Sequence, residues 1–371
     1  MSGFRRRTYT SGVFCVIASF SALALACDEG AHKTRTSTAG FTSPTAEGAR
    51  IPEDLRIMRN MALSEGGDIF LVQPDISADP EGGFLISDRM EGRVMRVSDT
   101  GEILWWQGRK GQGPGEYEQP LAVRRLDNQM YVFDFQGRVT VLSEESDSVI
   151  ATVQLPLYMP ADVEAWRSGE FLIAARDPQD HSRQAVWLWK TNTENVQPLF
   201  WTTESSPSAN LAHTAGVTKL AKRNDEVAVV FSLVDSVYLF RADDWSRRRS
   251  IGLRGSFRAI SADAVPAMLN ARTGPAFLST VDLVVDVHWT DRHGLVVSYQ
   301  SILNDSVLTR RWHMLQIEPA DSMQREFRDV PRVLTVLPHR GEVVFQNPGS
   351  ELPSQWTIAR LPCTNRRQAG C

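Results

Sequence analysis

The chain has 371 residues, of which 42% are hydrophobic and 23% charged, and its formal net charge is -4. That composition is typical of a folded protein with a large core and argues against a disordered chain. The net acidity argues against a nucleic-acid binder, because such a protein needs a basic surface to displace counterions from phosphates.

Residues 1–26 have the pattern of an export signal. Three consecutive arginines (5–7) precede an uncharged, mostly apolar run from Val13 to Ala26. The run is shorter than the roughly 20 residues that a membrane-spanning helix needs, but it suits the apolar region of a signal peptide. Removing residues 1–26 takes the net charge from -4 to -7, because the segment contains three arginines and no acidic residue.

The apolar run ends in Leu23-Ala-Leu-Ala-Cys27. This ending resembles the bacterial lipoprotein signal, in which the cysteine is acylated and becomes the new N-terminus. The resemblance implies lipidation at Cys27, although Ala24 stands where that family favours leucine. The alternative is an ordinary cleaved signal followed by an incidental cysteine.

After Cys27 the sequence predicts a flexible tether that ends at residue 50. Gly, Ser, Thr, Ala and Pro account for 15 of the 23 residues from Asp28 to Arg50, which is too little apolar surface to offset the entropy of ordering. A random coil of this length reaches roughly 25 Å. We therefore expect a bacterial envelope protein, exposed to the periplasm or the cell exterior, that meets the membrane only through its lipid anchor.

Two further cysteines, Cys363 and Cys371, lie eight positions apart near the C-terminus. In an oxidising compartment such a pair is expected to form a disulfide. Two free thiols are the alternative.

The architecture is predicted from an internal repeat. Residues 76–102 and 121–145 align, and their Gly-Arg-Val steps at Gly92 and Gly137 are 45 residues apart. A period of 40 to 50 residues with four short strands per unit is typical of propeller blades. Asp88 and Asp134 each end a strand before a turn, where a carboxylate accepts backbone N–H groups. We assign them that structural role rather than a catalytic one.

Between the two units runs a loop that contains Gly113-Pro-Gly-Glu116. The unit and this loop resemble the NHL-repeat type of six-bladed β-propeller found among bacterial envelope lipoproteins. The clear motif covers residues 76–145. The resemblance implies an all-β propeller of six four-stranded antiparallel blades.

Strand patterning extends the blades through residues 51–371, which we assign to a single propeller domain. Inner strands are predicted near Ile76, Leu121, Ala161, Gly216, Val281 and Arg332. The last unit has only three strands, so we expect Ile69 to Val72 to complete it and to remove an exposed sheet edge. A short helix of one or two turns is predicted between Ser261 and Arg272.

The long connections at 108–120, 202–215 and 254–280 lie on one predicted face, and function concentrates in such loops. They provide a set of ligand-face candidates: Arg109, Lys110, His213, Arg258 and Arg272. Their positive charge favours an acidic ligand. The alternative is that these loops vary in length without functional meaning.

No nucleophile elbow, paired-histidine metal motif or complete phosphate loop appears in the sequence. The glycines from Gly108 to Gly115 form either an anion-binding nest or a turn between blades, and we favour the turn. His288 and His293 flank a predicted hairpin, where a shared metal is less expected than two separate structural roles.

Two functions of different class follow. The first is an envelope-anchored binding or scaffold propeller that recognises a protein, a peptide or a glycan through its long-loop face and needs no cofactor. The second is a hydrolase or lyase with a divalent cation in the central channel. Three or more Asp, Glu, Asn or His side chains converging in the channel would favour the enzyme.

Overall fold

The structure is a computed structural model of the chain. It describes residues 49–63, 71, 74–143, 148–180, 183–201, 216–241, 243–255, 257–261, 264, 277–303, 309–347 and 354–362. Cys27, Cys363, Cys371, His213 and Arg272 lie outside these residues, as do the signal segment and most of the tether.

The described residues form six sheets of four antiparallel strands, and each sheet is one blade of a propeller ring. Blade 1 contains β2 (Pro74–Ala78), β3 (Phe84–Asp88), β4 (Arg93–Val97) and β5 (Ile103–Gln107). Blade 2 contains β6 (Pro120–Leu126), β7 (Gln129–Asp134), β8 (Arg138–Ser143) and β9 (Val149–Gln154). Blade 3 contains β10 (Tyr158–Arg167), β11 (Glu170–Arg176), β12 (Gln184–Lys190) and β13 (Val196–Trp201).

Blade 4 contains β14 (Thr218–Arg223), β15 (Glu226–Phe231), β16 (Ser236–Arg241) and β17 (Arg247–Gly252). Blade 5 contains β18 (Asp282–Thr290), β19 (Gly294–Ile302), β20 (Arg310–Glu318) and β21 (Met323–Val330). Blade 6 contains β22 (Val333–Leu337), β23 (Glu342–Gln346), β24 (Gln355–Arg360) and, from the other end of the chain, β1 (Arg56–Ala62). The predicted all-β class, six blades and six inner strands are therefore confirmed.

The N-terminal closure is confirmed, but the predicted closing strand is wrong. The strand that pairs with β24 is β1, with Met61 opposite Trp356. Of the predicted segment, only Leu71 is described; it lies outside the strands and is buried in the core cluster that contains Ile76 and Trp356. Leu71 thus contributes to the core, whereas the strand that closes the ring pairs on one side only and has a mixed, half-exposed sequence.

The core lies between blades, where the faces of neighbouring sheets pack on each other. One cluster joins blades 2 and 3 through Phe133, Phe171 and Trp189, with Phe171 stacked 5.7 Å from Trp189. Burial of large aromatic side chains supplies most of such an interface. The ring is therefore a rigid frame for the loops at its two faces.

The strand order defines those faces. We call upper the face that carries the connection from each outer strand to the next inner strand and the hairpin between the second and third strands of each blade. The opposite, lower face has tight turns such as Asp127–Asn128, where both residues have positive φ, as a type I′ hairpin requires. Each inner strand runs from the upper face to the lower face.

Helix is scarce: Pro338–Arg340 forms a single turn of 3-10 helix. The predicted helix at 261–272 lies mostly outside the described residues. Within the part of the chain that the structure describes, no helix is long and apolar enough to cross a membrane.

Candidate binding face and central channel

The glycine-rich loop of the upper face, residues 108–117, binds the carboxylate of its own Glu116. The backbone N–H of Gly113 donates to Glu116 Oε2 at 2.9 Å, and Arg109 Nε donates to Glu116 Oε1 at 2.7 Å. These two donors hold the pKa of Glu116 below its ordinary value. The loop therefore already contains an anion, and Arg109 is neutralised within it although its side chain is 81% exposed. Lys110, two residues after Gly108, is exposed.

The same loop is anchored by Tyr117, which is fully buried. A Cβ on Gly108 would lie 2.5 Å from the Tyr117 ring, and Gly108 has φ +104°. A Cβ on Gly92 would lie 2.7 Å from the Tyr117 backbone oxygen. Glycines are required at both positions because the loop passes so close to the blade. This geometry supports the predicted turn between blades.

Arg258 is engaged by the blade beneath it. Its Nη2 donates to Asp282 Oδ1 at 2.7 Å, its Nε donates to the same oxygen at 3.1 Å, and its backbone N–H donates to Oδ2 at 2.7 Å. Asp282 begins the inner strand β18, and its side chain is 1% exposed. Arg258 thus fastens the segment before β18 to the blade.

Asp282 also belongs to a group that has the residue types of a catalytic triad. Ser301 Oγ donates to Asp282 Oδ1 at 2.7 Å and lies 3.0 Å from His313 Nε2. The backbone N–H of Asp329 points at His313 Nδ1. His313 therefore carries its proton on Nε2 and donates to Ser301, while burial lowers its pKa. The serine proton faces the carboxylate rather than the imidazole, so the group is a structural network and not a nucleophile with its base.

The described ligand-face candidates, Arg109, Lys110 and Arg258, lie at two separate places on the upper face. Arg109 lies between blades 1 and 2 and Arg258 between blades 4 and 5. Both are on the upper face, but these two junctions are half a turn apart in a ring of six blades. The structure therefore does not join the described candidates into one patch.

The centre of the ring contains a charged cluster that our sequence interpretation missed. Six charged residues, one taken from each inner strand or from the residue just before it, alternate in sign around the channel. We call this set the charged ring, and it consists of Asp75, Arg124, Asp162, Lys219, Asp286 and Arg332.

Direct bonds link the members of the charged ring in blades 1 to 4. Arg124 donates to Asp75 at 2.8 Å and to the Val163 oxygen at 2.9 Å, and its Nη2 lies 3.7 Å from Asp162. Asp162 accepts the Leu220 backbone N–H at 2.8 Å and lies 3.9 Å from Lys219 Nζ. The inner strands β2, β6, β10 and β14 are thereby tied in sequence by charge-assisted contacts.

Two members of the charged ring are kept charged by their neighbours. Burial opposes this, but Asp75, Glu164 and Asp162 raise the pKa of Arg124. Lys219, again against the effect of burial, helps to hold the pKa of Asp286 well below its ordinary range. Asp162 differs, because burial raises its pKa in spite of Lys219 and Arg124. The members in blades 1 to 5 therefore compensate one another's charge, whereas burial lowers the pKa of Arg332 and Asp286 offsets this only in part.

Below the ring, towards the lower face, lie Glu164, Lys222 and His288. Burial raises the pKa of Glu164 to about 7, partly offset by Arg124, Lys222 and His288. His288 Nε2 lies 3.4 Å from Asp286, and this carboxylate raises the pKa of His288 although burial lowers it. Lys222 donates to the Trp166 oxygen at 2.7 Å. In this layer the pKa of Glu164 therefore lies near neutral pH.

Carboxylate and imidazole side chains do converge in the channel, as the enzyme hypothesis requires, but they alternate with cations. Within the described ranges, no three His, Cys, Asp or Glu residues are grouped so that they could hold a metal ion. His288 and His293 do not share a site, since His293 lies in the lower-face hairpin, 3.3 Å from the Pro362 oxygen. A divalent cation in the ring would also face Arg124 and Lys219.

The upper face has a different character, because half-buried or buried arginines lie at the upper ends of strands in several blades. Arg89 follows β3, Arg310 begins β20, and Arg332 precedes β22. Burial lowers the pKa of all three, to about 10 for Arg332. Arg176, at the upper end of β11, is lowered in the same way. Within the described residues, neither Arg310 nor Arg332 forms an ion pair with a carboxylate within 4.0 Å, so the positive charge at this part of the upper face is only partly compensated.

Asp88 and Asp134 have the structural role that the sequence predicted. Asp88 Oδ1 accepts the Met90 backbone N–H at 3.1 Å. Asp134 Oδ2 accepts the backbone N–H groups of Glu118 and Gln119 at 3.0 and 3.2 Å. Both carboxylates stabilise turns of the upper face.

No family model and no curated protein matches the sequence. Among solved structures, the chain is similar to a member of the DUF4221 family from Bacteroides vulgatus, with a TM-score of 0.59, 9% identity, and coverage of 84% of this chain and 98% of that one. It is also similar to a protein from Bacteroides fragilis whose name marks it as a candidate for export, with a TM-score of 0.59, 11% identity, and coverage of 83% and 96%. At these identities the likeness shows the fold alone: a six-bladed β-propeller with bacterial structural neighbours.

Proposed function

We propose that the protein is a binding propeller of the bacterial envelope that recognises an acidic partner, a protein, a peptide or a glycan, through its upper face. One observation carries this proposal: a protein of net charge -4 collects under-compensated arginines at the upper mouth of its channel. Such a local field attracts anionic groups and speeds their association.

The organisation of the channel supports binding rather than chemistry. The members of the charged ring in blades 1 to 5 compensate one another's charge, and among the described residues Ser301 has no base oriented to remove its proton. The second candidate, a metal-dependent hydrolase or lyase, is favoured only by the number of carboxylates in the channel. The cations between them count against it.

Envelope anchoring is part of the proposal. The signal-like residues 1–26, the acylated Cys27 and the tether to residue 50 would lead into β1, the outer strand of blade 6. Arg50 donates its backbone N–H to the Asp329 oxygen at 3.1 Å, near the upper end of the outer strand β21, so the tether would leave the ring at its rim on the upper side. The NHL-like repeat and the structural neighbour named for export support this location. A disulfide between Cys363 and Cys371 would fasten the C-terminus.

The anchoring is tested by Cys27→Ser with metabolic labelling by a radioactive fatty acid. We expect the label to disappear from the protein and the variant to leave the membrane fraction or to remain unprocessed. Label retained on the variant, or unchanged membrane fractionation, contradicts the lipoprotein proposal.

The binding function is tested by cross-linking the protein to partners from envelope extract with an amine-reactive reagent. Lys110 is exposed on the upper face, and Lys190, at the end of β12, is 56% exposed on the lower face, so the two lysines report on opposite faces. We expect partner cross-links at Lys110 that weaken with salt, because exposed charges are screened over about 8–10 Å at physiological ionic strength. Cross-links at Lys190 alone, or capture that does not change with salt, would refute the proposal.

A further inference from the structure

Two arginines at the junction of blades 5 and 6 stand out from the other buried charges. Arg310 is the first residue of β20, and Arg332 immediately precedes the inner strand β22. Both arginines are near the upper face, because β20 and β22 each begin at that face. Among the described residues, neither forms an ion pair with a carboxylate within 4.0 Å, unlike Arg124 or Arg258.

The position of Arg332 is fixed by an aromatic ring. Its guanidinium lies 5.4 Å from the centroid of Trp312, which is on the same strand as Arg310. A cation over an indole face is held without the loss of its hydrogen-bond donors. Arg332 therefore keeps its planar set of donors available at the mouth of the channel.

The positive charge of Arg310 and Arg332 is only partly compensated by their described neighbours. Arg310 lies close enough to Arg332 to lower its pKa further, and the acid that compensates Arg332 is Asp286. Asp286 is already paired with Lys219 and His288. Within the described residues, no acidic group raises the pKa of Arg310, whereas burial lowers it.

A third arginine of the upper face, Arg89 in blade 1, is not part of this pair. Arg89 lies 5.4 Å from the centre of the Phe135 ring in blade 2. It differs from the other two because Asp75 and Asp134 partly compensate it. The site is therefore confined to Arg310 and Arg332.

We propose that Arg310 and Arg332, with Trp312 supporting Arg332, form a binding site for an oxyanion, a carboxylate or a phosphate group that the acidic partner inserts into the channel mouth. The site rests on the proposed function, since it lies on the face that the partner would cover. Guanidinium groups bind planar or tetrahedral oxyanions through paired N–H donors. The bound oxyanion supplies the negative charge that no described carboxylate within 4.0 Å supplies to Arg310 and Arg332.

The test is calorimetric titration of the purified protein with citrate and with pyrophosphate, at an ionic strength held constant with chloride. The variants are Arg310→Gln and, as the matched control, Arg311→Gln. Arg311 is the next residue on the same strand, carries the same charge, is 48% exposed and lies 3.8 Å from Asp329. The melting temperature of each variant shows whether it is folded, and Arg332→Lys is a second variant that keeps the charge but loses the paired donors.

We expect at least one of the two anions to bind, Arg310→Gln to weaken that binding by about tenfold or more, and Arg311→Gln to change it by less than about twofold. Binding of citrate alone would assign carboxylates, and binding of pyrophosphate alone would assign phosphates. Absence of binding beyond that of chloride, or equal losses in the two glutamine variants, overturns the site. Cross-linking at Lys110 is a separate measurement, so failure of the oxyanion site and failure of the binding function are distinguishable.

Discussion

Replacement of Arg258 by alanine should destabilise the protein, although sequence reasoning placed this residue on a ligand-binding surface. The substitution removes two guanidinium donors from Asp282, whose side chain is 1% exposed. The carboxylate keeps only the backbone N–H of residue 258 and the Ser301 hydroxyl. Leaving a buried carboxylate partly unsatisfied costs roughly 2–3 kcal/mol, and the half-exposed guanidinium places the estimate near the lower end.

The assay is equilibrium unfolding in urea, in which the midpoint should fall while the slope stays the same. Arg109→Ala is the control, because it also removes an upper-face arginine that is paired with a carboxylate, but at an exposed site. We expect no measurable change there. A loss below about 0.5 kcal/mol for Arg258→Ala, which is the usual range for surface substitutions, would refute the reasoning.

A double-mutant cycle with Asp282→Asn separates the ion pair from other effects. If the guanidinium acts through Asp282, the two substitutions should be strongly non-additive. Additive losses would mean that Arg258 stabilises the upper face through the Ser279 oxygen, to which its Nη1 donates at 2.9 Å. Either result bears on function, because a ligand assay with an Arg258 variant reports stability as well as binding.

Gly108→Ala should lower the free energy of unfolding in urea by more than about 2 kcal/mol, since a Cβ would clash with the Tyr117 ring and Gly108 has a φ of +104°. Gly252→Ala is the control and should be tolerated, because the nearest atom to its Cβ would be 3.9 Å away and its φ is not positive. Deletion of residues 49–62, which removes β1, should abolish the single cooperative unfolding transition, whereas deletion of residues 28–48 should leave that transition intact. Equal melting of the two truncated proteins would contradict closure of the ring by β1. The free energy of unfolding should fall by at most about 3 kcal/mol as pH rises from about 4.5 through 7, because the folded protein retains a proton on Glu164 that the unfolded chain releases. Glu164→Gln should flatten this part of the pH profile. An unchanged profile would show that Glu164 is not the group responsible.

The ring of blades was predictable because its determinants are local. The repeat at Gly92 and Gly137 sets the period, and alternation within each strand marks the pleat. The closing strand was harder to find. Residues 56–62 form an outer strand that needs no continuous apolar face, while the apolar run at 69–72 resembles a strand more closely.

Arg109 and Arg258 show why candidate binding residues were harder to predict than the fold. The sequence shows their charge and their loops, but not the carboxylates that neutralise them. Glu116 lies within the same loop as Arg109 and was a readable signal. Asp282 is 24 residues after Arg258, and the intervening sequence does not indicate that they pair.

Part of the charged ring could have been predicted from the pattern of polar residues in the inner strands. Once the inner strands are placed, Asp162 with Glu164 and Asp286 with His288 show polar side chains at alternate positions of otherwise apolar strands. One side of an inner strand faces the channel, so such alternation predicts a polar channel wall. Which charges pair across the channel depends on the closure of six blades and is not visible within any one of them. Arg310 is harder still, because it belongs to a third strand and reaches the mouth only through the geometry of the junction between blades 5 and 6.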